Sequence, residues 1–239
     1  MGVLPFLAGV ISLVFAGLLG RQWIVRRRPA QAAWAVALLL FAGASFALFL
    51  GTAGGWSENE FKAYWLLGAV VNVPFLAQGE LWLLVRDRRV TTATLLLVIF
   101  GTAYAAARIV RAPLNFDALA QDLPLGREVF GGDAEAVVLA RVYSYAGYAV
   151  LLAGTLWSAW RMRGRTDLRD RLLGTLAIAG GATIVAVGAA FAAAGNLPGF
   201  SITLAAGIAV MFWGFLRASR PPRIRRPTPE PAGEGGTPH

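Results

Sequence analysis

Cysteine is absent from the 239 residues. That excludes disulfides, thiol nucleophiles, thiolate zinc sites and cysteine-held iron–sulfur clusters. Histidine occurs once, as His239, in a stretch without apolar pattern. Haem or zinc held by histidines inside a helical bundle, and a Ser-His-Asp triad, are therefore excluded. Lysine also occurs once, as Lys62 against 21 arginines, so a Schiff base would have a single candidate at the edge of an apolar run. No metal or cofactor is expected from these residues, and the balance leans against an enzyme without deciding the question. Charge is scarce as well: 15% of residues, where a soluble domain carries about 25%.

Apolar residues fill what is left. They make up 57% of the chain, and the mean hydropathy is +0.60. The charges are bunched, leaving apolar stretches of about 18–24 residues, each long enough at 1.5 Å per residue to cross a hydrocarbon layer of about 30 Å. The reading is all-α: an integral membrane bundle of seven spans near residues 3–20, 32–51, 62–84, 92–111, 137–160, 172–194 and 199–216. Residues 1–217 form the membrane domain, with a long outer loop at 112–136. Residues 218–239, rich in Pro, Gly and Arg, are expected to be a disordered cytoplasmic tail.

Charge placement predicts orientation. Segments following spans one, three, five and seven hold 17 of the 22 basic residues. The opposite segments hold five basic and seven acidic residues, among them Glu58, Glu60, Asp117, Asp122, Glu128, Asp133 and Glu135. The positive-inside rule then puts the N-terminus outside and the C-terminus in the cytoplasm of a cell membrane. The first apolar run has its arginines after it, the reverse of a signal peptide, and so reads as an uncleaved span. Trp23, Trp34, Trp82, Trp157, Trp160 and Trp213 fall at the cytoplasmic ends, and Trp56 and Trp65 at the outer ends, as an interfacial belt requires. The net charge of +9 is accounted for by this asymmetry, and no nucleic-acid partner is expected.

Span six carries Gly174, Gly181, Gly188 and Gly195, one at every seventh residue, which lines a single seam for close helix approach. Gly207 and Gly214 in span seven, Gly147 and Gly154 in span five, and Gly2 and Gly9 in span one offer matching surfaces. The loop at 112–136 mixes helix breakers (Pro113, Pro124, Gly126, Gly131, Gly132) with scattered apolar residues, so it is expected to fold back as a lid.

Two groups of polar residues inside the spans are candidate sites. Arg141, Ser144, Tyr145 and Tyr148 share one face of span five, and Tyr104, Arg108 and Arg111 share one face of span four. Guanidinium forks beside phenols suit an anionic head group. The alternative is that these arginines pair with Glu58, Glu60, Glu128, Asp133 or Glu135 and anchor the loop. In span three, Asn72, Gln78 and Glu80 around Pro74 form a candidate polar path, and intramembrane charge is costly enough to need a reason. The alternative for Glu80 is a shallow position, paired with arginines of the inner loops within reach of water.

The run Trp56-Ser57, Phe61, Tyr64-Trp65-Leu66-Leu67-Gly68-Ala69 and residues 79–84 resembles a pattern in multi-span proteins of GC-rich bacteria. The resemblance covers about 30 residues and implies no activity. Seven spans are also similar in topology to microbial rhodopsins and SWEET-type transporters. Residues 199–216 lack the rhodopsin lysine, however, and Pro5, Pro74 and Pro198 do not match between halves. Topology by itself does not give function. The order of expectation is a binding or sensory bundle for a lipid-like or small anionic ligand, then a structural or accessory subunit, a small-solute transporter, and an enzyme acting on lipid. The expected partners are membrane lipids and a helix-packing partner or second copy.

Overall fold

The computed structural model describes residues 3–121, 123–132, 134–163 and 169–218. Gly2, Asp122, Asp133 and the tail from 219 onward lie outside the described residues. Ten α-helices follow in order: α1 (Val3–Arg26), α2 (Pro29–Gly54), α3 (Glu58–Tyr64), α4 (Asn72–Leu84), α5 (Arg88–Arg111), α6 (Phe116–Leu119), α7 (Gly126–Val129), α8 (Glu135–Met162), α9 (Arg169–Ala193) and α10 (Leu197–Ala218). No strand occurs among the described residues. A π-helical segment, Trp65–Val71, joins α3 to α4, so Glu58–Leu84 forms one crossing. Seven helices are long and apolar enough to span a membrane, and the chain is a polytopic membrane protein.

The observed helices overrun the expected spans at most ends. α1 extends from Val3 to Arg26, about 36 Å at 1.5 Å per residue, which exceeds the hydrocarbon layer. Intrahelical hydrogen bonding continues into the headgroup region, where a polar side chain costs nothing. Pro29 opens α2 at the first helical position, where its missing N–H is not needed. Ser57 and Glu60 form a reciprocal capping box at the start of α3, with Ser57 N–H donating to Glu60 at 2.9 Å.

The glycine seam holds for most of its length. A Cβ on Gly181 would come within 2.6 Å of the Gly207 carbonyl oxygen, and one on Gly214 within 2.7 Å of that of Gly174. α9 and α10 therefore touch backbone to backbone. Gly188 packs against Thr203, while Gly195 leaves the seam and takes φ +68° in the turn before α10. The other glycines serve different neighbours. Gly147 lies on Val73 and Pro74, Gly154 on Glu80 and Leu84, and Gly9 on Phe46.

Tryptophan placement needs one correction. Trp23, Trp157, Trp160 and Trp213 are exposed on the helix flanks. Trp34 instead packs on Gly79 and donates to the Leu76 carbonyl at 3.1 Å. Trp56 and Trp65 join Phe61 and Phe130 in an aromatic cluster under the long loop. Trp34 and Trp65 are turned inward by their rotation about the helix axis, and Trp56 by the link between α2 and α3 that carries it.

Candidate functional site

Span three is irregular because of Pro74. Proline has no N–H, and its ring collides with the carbonyl four residues earlier. The backbone before it widens into the π segment Trp65–Val71, in which carbonyls look five residues ahead. For Ala69 that partner would be Pro74, which has nothing to donate. The Ser144 hydroxyl of α8 fills the role, donating to the Ala69 carbonyl at 2.6 Å.

Beside this segment lies a cavity of about 750 Å³, within the range of about 300–1,000 Å³ usual for small-molecule sites. Its walls come from α2, the π segment, α4, α8, α9 and α10. Most of the lining is apolar, with Phe41, Leu48, Phe200 and Leu204 buried against it. The connection between α5 and α8 covers one end. Asn115 caps α6 through the Asp117 and Ala118 amides, and its own N–H donates to the Val129 carbonyl at 2.8 Å, closing the loop on itself. Leu123, Pro124 and Gly126 are buried and line the cavity from above, and Gly126 rests on the Trp65 ring. Trp65 in turn donates to the Ala136 carbonyl at 3.1 Å. The expected lid is thus a packed cap.

Polar groups on the lining are few. Asn72, Ser45, Tyr64, Trp65, Ser144, Tyr145, Tyr148, Arg127 and Arg141 contribute them. Asn72 is 5% exposed, and its Oδ1 accepts no hydrogen bond among the described residues. A buried amide oxygen without a donor costs about 1–3 kcal/mol, so this position is expensive unless something pairs with it. Arg141 has no ion pair among the described residues, whereas Arg127 lies 3.8 Å from Glu128, with both side chains well exposed. The Tyr148 hydroxyl meets Thr183 of α9 at 2.9 Å.

The two arginine–tyrosine faces separate. Arg141, Ser144, Tyr145 and Tyr148 line the cavity together, but Tyr104 and Arg108 do not. Both of those bind Glu135 at the start of α8, on the exposed flank, and so tie α5 to α8. The polar path of span three also divides. Asn72 faces the cavity, whereas Gln78 donates to the Thr91 carbonyl at 2.9 Å on the α5 side. Glu80 is 3% exposed and lies against Gly154, with Ser158 in hydrogen-bonding reach. No arginine pairs with it among the described residues, contrary to the reading of a shallow group paired with inner-loop arginines. Sequence spacing gave helix faces but could not say which neighbour each face meets. Arg127 and Ser45 were not anticipated. Ser45 gave no signal, since a lone serine in an apolar span is ordinary.

Comparison with protein-family models, curated proteins and solved structures returns no match, so the functional reading rests on these residues themselves.

Proposed function

We propose that this chain is a non-enzymatic binding protein of a cell membrane that holds a lipid-like anionic molecule in an outward-facing cavity. The orientation rests on the excess of arginine in the segments after spans one, three, five and seven, with the N-terminus outside and the loop at 112–136 on the outer face. The observation that carries the reading is a largely apolar cavity of about 750 Å³ with Arg141, unpaired among the described residues, on its lining. Each methylene buried there contributes about 0.8 kcal/mol, so about eight of them outweigh one charged hydrogen bond of about 1.5–3 kcal/mol. The chain of such a ligand supplies most of the affinity, and the arginine sets its direction.

The test is native mass spectrometry of protein purified in mild detergent. An anionic amphiphile should be retained by the natural chain and by Arg108→Ala, and lost from Arg141→Ala. If Arg141→Ala melts early yet retains the same molecule, the arginine is an anchor and the binding reading fails.

A second reading, an accessory subunit or a homo-oligomer, is favoured by α5. Only 11% of its most apolar stretch is buried, and Leu97 and Phe100 are more than two-thirds exposed. Such a flank suits a partner helix as well as lipid, and a partner would appear in the same mass spectra. The transporter reading needs a continuous polar route, and the separation of Gln78 and Glu80 from the cavity removes its support.

A further inference from the structure

We infer that the cavity is loaded sideways from the bilayer, through a gap between α8 and α9, by a single acyl chain of an anionic phospholipid. This rests on the binding reading above and adds the source of the ligand and its route.

The exposed residues on the lining carry the argument. Those supplied by α2, the π segment, α4 and α10 are buried or half-buried, and so are the cap residues Leu123, Pro124, Leu125 and Gly126. Apart from Arg127, the exposed ones all belong to α8 and α9: Arg141, Tyr145, Ala186, Ala189 and Ala193. Tyr145 is 73% exposed while lining the cavity. The cavity is therefore closed above by the cap and open to the side, where lipid lies.

Helix packing explains why the gap is there. α9 turns Gly181 and Gly188 toward α10, and α8 turns Gly147 and Gly154 toward α4. Neither helix spends its close-approach surface on the other. What remains between them is an alanine face, Ala182, Ala186, Ala189 and Ala193, opposite Arg141, Tyr145 and Tyr148. The contact of Tyr148 with Thr183 marks the bottom of the opening. Toward the loop end the opening spans 182–193, about 16 Å at 1.5 Å per residue, or about half of a 30 Å hydrocarbon layer. It is as tall as one leaflet.

Three features fit an anionic phospholipid. The alanine face is smooth enough for a methylene chain. Arg141 lies about 10 Å nearer the loop end than Tyr148, at headgroup level, where a guanidinium binds a phosphate oxygen pair. Asn72, 95% shielded and with its Oδ1 unpaired, faces the same cavity from the opposite wall, where a glycerol or headgroup hydroxyl can donate to it.

The test uses the full chain in phosphatidylcholine vesicles containing photoactivatable phosphatidylglycerol, with cross-links mapped by mass spectrometry. Decyl phosphate added from water serves as the soluble probe. Cross-links are expected on the inner wall at Leu204 and Ile208. In Ala189→Trp, which blocks the gap, they should fall several-fold, to the level of vesicles irradiated without the probe lipid. Ala193→Phe is the second blocking variant, and melting curves establish that each folds. Annular cross-links at Leu96 should be unchanged. If folded gap variants load the lipid as the natural chain does, lateral loading is overturned. If decyl phosphate alone reaches Leu204, the ligand comes from water, and anion binding survives while the lipid route does not. If neither probe reaches the inner wall, both readings fall.

Discussion

The Ser144 hydroxyl and the Ala69 carbonyl meet at 2.6 Å, and this contact fastens α8 to the π segment that shapes the cavity wall. Proline at 74 removes a backbone donor there, and a side chain from another helix replaces it. Ser144→Ala should therefore destabilise the protein by about 0.5–1.5 kcal/mol, read from thermal unfolding in detergent. Returning a donor with Pro74→Ala should make the double variant lose less than the sum of the singles. Simple additivity would mean that the proline and the serine are unrelated.

At Gly181 a side chain meets the backbone of α10. Gly181→Leu should lower the melting temperature strongly, because two helices that touch through their backbones must separate. Leu96→Ala, at a residue 48% exposed on the outer flank of α5, should have a far smaller effect. Similar small shifts at both positions would show that the α9–α10 seam is not tightly held.

Asn72 separates stability from binding. Asn72→Leu keeps a similar volume and removes a buried oxygen that no described residue satisfies. The variant should melt at least as high as the natural chain when stripped of ligand, since replacing an unpaired buried polar group with an apolar one relieves desolvation cost. It should also retain less of the co-purified amphiphile. A lower melting point with unchanged retention would assign Asn72 a packing role.

Tyr104, Arg108 and Glu135 form a clasp between α5 and α8. Glu135→Gln should loosen α5, visible as faster amide exchange along residues 100–111, with ligand retention unchanged. Loss of ligand in Glu135→Gln would return Arg108 to the site.

Orientation is open to a labelling test because the chain has no cysteine of its own. Single cysteines at Gly54 and Gly132, both exposed with free space around the Cα, should react with an impermeant maleimide on intact cells. Cysteines at Arg86 and Arg163 should react only after the membrane is opened. The opposite pattern would invert the outward-facing assignment.

Sequence by itself determined the crossing segments, the absence of cysteine and the seven-residue glycine seam. Those properties are one-dimensional: apolar run length, residue counts and helical period. Arg108 and Arg141 show where that information stops. Both sit near the loop end of a span, Arg108 in the last turn of α5 and Arg141 within two turns of the start of α8, and spacing does not tell their roles apart. Only the packing of α5 on α8 puts Glu135 beside Arg108, and only the divergence of α8 from α9 leaves Arg141 facing a cavity. Glu80 teaches the same lesson, since its place along span three was legible but its burial against Gly154 was not. The π segment was also hidden, because Pro74 announces a disturbed helix without saying which neighbour will satisfy the carbonyl it frees. Which face meets which helix is a three-dimensional choice, made by close packing of side chains from segments far apart in the chain.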